Sequence, residues 1–222
     1  MMRFQNERER FDLMEKLLYT PVICDILDDL GYRNQIASMR IRPLERNFVV
    51  AGRAKTILAA DLNQMPERPY ASEIEAVDSL QENEVVAVDT NRSTGCAFWG
   101  ELLSTAAIAR GARGALVYGA IRDVKKILDT GFKVFTSDLS PLDSKGRQIV
   151  VRYDCPIDMG GVIVQPGDIL FADYDGIVAI PKAVEDQVID AALEKVQKEK
   201  QSIQMLREGA YLRDVYDRFG IL

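Results

Sequence analysis

The sequence contains no histidine. A polar centre in this chain must therefore be built from carboxylates, guanidinium groups and backbone amides. Cysteine is scarce as well. Cys24, Cys96 and Cys155 form an odd set with neither CxxC nor metal-ligand spacing, so each reads as a small core residue rather than a zinc ligand. The stretch MMRFQNERERFDLMEKL lacks the apolar run of a secretion signal. Together with three scattered thiols it leads us to expect a reducing cytoplasm. No window is apolar enough for a membrane span. A basic excess is missing too: 28 Lys and Arg stand against 34 Asp and Glu, a net charge of -6. No field here invites nucleic acid or anionic lipid.

What is present suits a globular protein. Apolar residues make up 47% and charged residues 28% of 222 positions, enough for a sizeable core. Residues 5–18 have helical periodicity, with Phe11, Met14, Leu17 and Leu18 on one side. Thr20-Pro21 reads as an N-cap followed by the first helical residue, and Gly31 as the stop. Residues 46–60 are β-rich, one or two strands. DLNQMPERPY is a turn-rich connection with two prolines. It is followed by a short helix at Ser72–Leu80.

The centre of the chain is the clearest part. A strand at Val85–Asp89, a loop TNRSTGCAFWG, a helix at Glu101–Arg110 and a strand at Ala115–Tyr118 come in succession. A turn at Gly119–Ile121, a helix from Asp123 to Thr130 and a strand at Val134–Thr136 complete the unit. Such alternation predicts right-handed crossovers in a parallel or mixed sheet, with functional groups at the carboxyl ends of the strands. After Pro141 the chain reads as short antiparallel strands. Turns at Pro166-Gly167-Asp168 and Asp173-Tyr174-Asp175-Gly176 join them, and the acids there are turn chemistry rather than ligands. Residues 183–207 form a long charged helix, and YLRDVYDRFGIL a tail with exposed-looking Tyr211, Tyr216 and Phe219. We read helix and tail as packing on the body or on a neighbouring subunit.

Within the central unit, Glu101 is followed after twenty residues by Arg122-Asp123. Both segments sit just past strand ends, at helix starts. An Arg-Asp pair in that position is commonly a helix cap with a surface ion pair. The chemical alternative follows from the residue types. Gly100, Glu101, Leu102 and Leu103 open a helix whose free N–H groups bind an anion. Arg122 would grip the same carboxylate in a fork, and Asp123 would ligate a hard divalent cation, Mg²⁺ or Mn²⁺. That constellation suits a small 2-oxo acid, with Glu101 hydrogen-bonded around the cation. Lys125 and Lys126 follow the motif directly. In a first helical turn they look solvated, which disfavours a Schiff-base lysine.

The segments GELLSTAAIARGARGALVYGAIRDVKKILDTGFKVF and VQPGDILFADYDGIVAIP resemble the RraA-like family, which contains metal-dependent 4-hydroxy-4-methyl-2-oxoglutarate aldolases and regulators of ribonuclease E activity. The resemblance extends over most of the chain. It implies an α/β fold, layered α/β/β as in the swivelling domain of phosphotransfer enzymes, with a mixed central sheet and a long C-terminal helix. It also implies one domain over residues 1–222, with N-terminal helices at 5–31, an α/β core at 46–181 and the helix and tail at 183–222. Carried over by position, Gly100 through Leu103 and Arg122 would hold substrate and Asp123 would bind the metal. The family's aldolases often have Asp where this chain has Glu101. They assemble as homotrimers or homohexamers and draw an acid from the neighbouring subunit, for which Glu194 and Glu199 are candidates. The far wall of the pocket is expected from DLNQMPERPY or from that neighbour. The function implied is a class II pyruvate aldolase with related oxaloacetate decarboxylase activity. The competing function is a non-catalytic regulator that docks on a ribonuclease or helicase.

Overall fold

The computed structural model describes residues 4–220. The first three residues and the last two, which the expected domain and tail include, lie outside the described residues. Helix α1 (Glu7–Leu17) starts at Asn6, whose side chain accepts the Glu9 N–H, and buries Phe11 and Met14. Helix α2 (Thr20–Asp29) is capped by Tyr19, not by Thr20. Thr20 is already helical, and its N–H and hydroxyl both donate to buried Asp173 at 2.8 and 2.6 Å. A tertiary carboxylate thus replaces the local cap.

Strand β1 (Arg42–Pro43) is a short edge, and β2 (Val50–Asp61) is a single long strand. Helix α3 (Ala71–Asp78) precedes β3 (Glu84–Asp89). The stretch expected as one loop holds β4 (Ala97–Trp99), which runs straight into α4 (Glu101–Ala109). Strand β5 (Gly114–Ile121) continues through the residues expected to form a turn, so Arg122 follows the strand directly. Then come α5 (Val124–Thr130), β6 (Lys133–Leu139), β7 (Gln148–Tyr153), β8 (Ile157–Asp158), β9 (Ile163–Val164), β10 (Ile169–Ala172) and β11 (Ile177–Ile180). Helix α6 (Glu185–Arg207) is followed by α7 (Leu212–Phe219), a helix where the aromatic tail was expected.

One mixed sheet runs β1-β6-β5-β3-β2-β10-β11, with β4 on β5 and β7 on β2; β8 and β9 form a separate ribbon. The pairs β2–β3, β3–β5, β5–β6 and β4–β5 are parallel. The turn at 166–168 makes no hairpin: β9 pairs with β8, whereas β10 pairs with β2. Turn residues are visible in a sequence, but the partner of the strand they release is not. The turn at 173–176 does join an antiparallel pair, β10–β11. Its Asp173 accepts the N–H groups of Asp175 and Gly176.

The apolar strands are buried on both faces, as expected of parallel strands covered on two sides. Val86 and Val88 of β3, with Ala115 and Val117 of β5, face Ala76, Ala107 and Ile127 of α3, α4 and α5. Val85, Ala87 and Leu116 face the other way, onto Ile157, Met159 and Val164 around the β8–β9 ribbon. Helices α1, α2 and α6 cover Ile169, Phe171, Val178 and Ile180 of β10–β11. A helical layer, the sheet and a second β layer give the α/β/β arrangement. No described helix is long and apolar enough to cross a membrane.

At the amino ends of the parallel strands, charges clamp α1 and α6 to the sheet. Arg53 of β2 bonds both oxygens of Glu7 at 2.7 Å and also pairs with Glu185 at the start of α6. The Phe11 ring lies between Arg53 and Arg113, at 5.9 and 5.7 Å from its centroid.

Candidate functional site

Two strand ends build the site. The Arg122 N–H donates to the Trp99 carbonyl at 2.9 Å, so the end of β5 is pinned beside the end of β4. The next residue, Asp123, takes φ 59°, a left-handed conformation that turns the chain into α5. Asp tolerates that region better than most residues. The turn aims the carboxylate back at α4, where Asp123 Oδ2 accepts the Glu101 N–H at 3.3 Å. Gly100 makes this possible by its lack of bulk. Its backbone is extended, at φ -164°, but a Cβ there would sit 2.8 Å from Asp123 Oδ2 and 3.3 Å from Arg122 Cγ. The first turn of α4 is locked by Trp99 Nε1, which donates to Ser104 Oγ at 2.8 Å, and by Ser104 Oγ, which donates to the Gly100 carbonyl at 2.9 Å.

Arg122, Asp123 and Gly100 through Leu103 therefore converge on one cleft of about 520 Å³. Phe98, Trp99 and Ile74 supply apolar wall. Of the predicted backbone donors, the Glu101 N–H is already taken by Asp123, leaving those of Leu102 and Leu103. The Leu102 side chain stands at the mouth, 79% exposed. The Glu101 carboxylate turns outward and accepts Lys126 Nζ at 2.9 Å. Glu101 in turn pushes the Lys126 amine upward, opposite to what an amine nucleophile needs. Glu194 pairs with Lys198 at 2.8 Å on α6, and neither Glu194 nor Glu199 lines this cleft of its own chain.

Three residues that the motif does not mark, Tyr70, Glu73 and Asp143, complete the site. Arg122 Nη1 lies 3.5 Å from Asp143 Oδ1, while Arg122 Nε lies 3.7 Å from Asp123 Oδ2. Asp143 also accepts the Tyr70 hydroxyl. Burial would raise the Asp143 carboxyl, but the Tyr70 bond, Arg122 and the N–H groups of Lys145 and Ser144 outweigh it and hold the carboxyl below its usual range. Burial and then Asp143 drive Tyr70 up to about 12. Glu73 of α3 moves furthest for an acid. Burial, followed by the nearby Asp143 charge, lifts it to about 7 against the opposing pull of Arg122 and Ser144. Tyr70 is the last residue of DLNQMPERPY, so that segment does supply part of the wall. The half-buried Glu73 and Asp143 had no local signal beyond their place near turns.

Among the described residues no group of three or more acids, thiols or imidazoles forms a ready metal cage. A water-rich Mg²⁺ needs only one or two protein carboxylates. The half-exposed Asp123 carboxylate, which lines the cleft, fits that demand.

The profile of the RraA-like family, described as Aldolase/RraA, matches residues 20–179. A Halalkalibacterium halodurans protein provisionally named 4-hydroxy-4-methyl-2-oxoglutarate aldolase is 30% identical over 86% of this chain and 83% of its own. Protein DlpA of Legionella pneumophila is 29% identical over 82% of this chain, which spans only 30% of DlpA. The crystal structure of Streptomyces coelicolor RraAS2, described as an unusual member of the RNase ES inhibitor RraA family, superposes with a TM-score of 0.78. It shares 26% identity, covering 90% of this chain and all of the other.

Proposed function

The chain belongs to the RraA-like family, and from that premise we propose that it is an aldolase cleaving a 4-hydroxy-2-oxo acid to pyruvate. In this reading it depends on Mg²⁺ or Mn²⁺, and the same cleft decarboxylates oxaloacetate. The observation that carries the reading is the meeting of Arg122, Asp123 and the first turn of α4 around one cleft. Arg122, oriented by an acid on each side, holds the substrate carboxylate in a fork. The N–H groups of Leu102 and Leu103, at the positive end of α4, face the oxygen on which charge develops. Asp123 would hold the cation, which when bound supplies a Lewis acid for the 2-oxo group. Phe98 and Trp99 keep water from the breaking bond.

Assembly as a homotrimer or homohexamer, with a neighbouring acid closing the cleft mouth, belongs to the same proposal. The test is pyruvate release over a panel of 4-hydroxy-2-oxo acids and oxaloacetate with Mg²⁺, repeated in chelator and with Asp123→Asn. We expect metal-dependent turnover, lost in both controls. Light scattering reports the assembly, and a monomer near 25 kDa would sink the shared site. The regulator reading takes its support from the name of the Streptomyces relative. It requires no turnover on the whole panel.

A further inference from the structure

We propose that Glu73 is a catalytic residue of this cleft: its carboxylate takes the C4 hydroxyl proton as the C3–C4 bond breaks and then delivers that proton to C3. The inference rests on the aldolase reading above and assigns the proton, which the Glu101–Arg122–Asp123 motif leaves without a carrier.

The other acids of the cleft are engaged. Asp123 takes the Glu101 N–H and faces Arg122 Nε. Asp143 takes the Tyr70 hydroxyl and faces Arg122 Nη1. Glu101 is bound by Lys126. Glu73, on the first turn of α3, is hydrogen-bonded to Ser144 but has no described cation within ion-pair distance, and it lines the same cleft as Arg122 and Asp123. It also lines a second cavity of about 40 Å³ on its far side. Among the described residues it is the one carboxyl common to both spaces. Gln148 lines that second cavity, and its buried Oε1 has no hydrogen-bond partner. A space of this size takes a water molecule, and a lone buried acceptor suits one. Glu73 thus borders both the cleft and a water-sized space through which a proton can exchange.

The step balances without any further reactant. The C3–C4 electron pair becomes the C2–C3 double bond, and the C2 carbonyl pair moves onto its oxygen. The C4 O–H pair forms the new carbonyl, and its proton goes to Glu73. The C2 carbonyl then re-forms, and the C2–C3 pair takes the proton from Glu73, giving the methyl group of pyruvate. A group serving as base and then acid works best when both forms are populated at neutral pH. The charged and titratable groups around Glu73 are Asp143, Arg122 and Tyr70 in the cleft, with Arg68 and Lys145 lining the second cavity. Burial and Asp143 raise its carboxyl to about 7 while Arg122 and Ser144 oppose them.

The reverse half-reaction offers a direct test. With Mg²⁺ in D₂O, the wild-type protein should exchange the methyl protons of pyruvate, read by ¹H NMR. The exchange rate should rise with pH through about 7, as the carboxylate form appears. Glu73→Gln should slow exchange by about 10²-fold or more, with pyruvate affinity by calorimetry changed only a few-fold. Glu73→Asp should fall between the two. Exchange by Glu73→Gln at the wild-type rate would overturn the proposal. If that variant does not fold by circular dichroism, an unchanged pH profile in Glu73→Asp together with wild-type exchange overturns it equally. Absence of exchange in the wild-type protein would remove the aldolase reading itself, and the proton carrier with it.

Discussion

Arg122 reaches Asp143 with Nη1 at 3.5 Å, across a gap of twenty-one positions in sequence. Together with Asp123 on the Nε side, this contact sets the guanidinium between two carboxylates and leaves its remaining N–H groups for a ligand. Arg122 is thus a held fork rather than a free surface charge.

Replacing the fork tests that geometry. A lysine keeps the charge but cannot span two acids and a carboxylate at once. Arg122→Lys should lower kcat/KM for the best 2-oxo acid by roughly 10²-fold, about 2.7 kcal/mol at 1.36 kcal/mol per decade. A near-wild-type value would mean that the fork serves only its acidic neighbours.

Asp143 also acts on Glu73. Its negative charge is the second cause, after burial, of the raised Glu73 carboxyl. Asp143→Asn removes that charge, so Glu73 should titrate at lower pH than in the wild type. The ¹³C shift of the Glu73 carboxyl, followed against pH, measures the change. A midpoint that stays in place or rises would contradict the electrostatic account.

Gly100→Ala probes the approach of α4 to Asp123. The added methyl would lie 2.8 Å from Asp123 Oδ2, so the carboxylate must move while the extended backbone remains acceptable. Calorimetric Mg²⁺ affinity and kcat should both fall by roughly tenfold. Thermal stability should drop by only about 1 kcal/mol. Wild-type Mg²⁺ binding in this variant would argue that Asp123 is not the ligand.

The raised Glu73 carboxyl makes a statement about stability. Its ordinary value is 4.5 and its folded value about 7, so between these pH values the native state binds more protons than the unfolded chain. The contribution is full below pH 4.5 and is lost as pH rises through about 7. That gap corresponds to roughly 3 kcal/mol at 1.36 kcal/mol per pH unit, and partial solvent access reduces it. Glu73→Gln should therefore stabilise the protein by roughly 1–3 kcal/mol at pH 8 and flatten its urea midpoint between pH 5 and 8. A loss of stability at pH 8 would refute this.

Arg53→Ala separates folding from the cleft. It strips Glu185 and Glu7 of their shared partner at the opposite edge of the sheet. Glu185 keeps Arg10 Nη1 at 3.0 Å, so the cost is that of the lost charge-assisted hydrogen bonds, about 2 kcal/mol. Urea denaturation should show that loss, and activity per folded molecule should be kept.

The convergence of Glu101, Arg122 and Asp123 was legible in the sequence because it depends on local signals. Apolar runs that alternate with helical periodicity set the crossovers, and crossovers bring strand ends to one edge. Tyr70, Glu73 and Asp143 escaped the same reading. They come from the end of a proline-broken loop, a helix start and a turn, and only tertiary packing assembles them. Nothing near Glu73 in sequence announces that its carboxyl is buried. Strand β4 was hidden for a different reason: three residues are too few for a periodic pattern, and its pairing with β5 decides it. The capping of α2 by Asp173, more than 150 positions away, shows the same limit of local rules.

The placement of β2 governs the order in which this molecule can be made. Ile169 of β10 stands opposite Arg53 of β2, a contact spanning more than a hundred residues. Helices α1 and α2 leave the ribosome well before β10 and β11, strands of the platform they cover. For most of synthesis those helices carry apolar faces with nothing to receive them, and one edge of β2 is open. Closing so long a loop is slow. Until β11 has appeared, the apolar faces of the nascent chain are open to association with its neighbours.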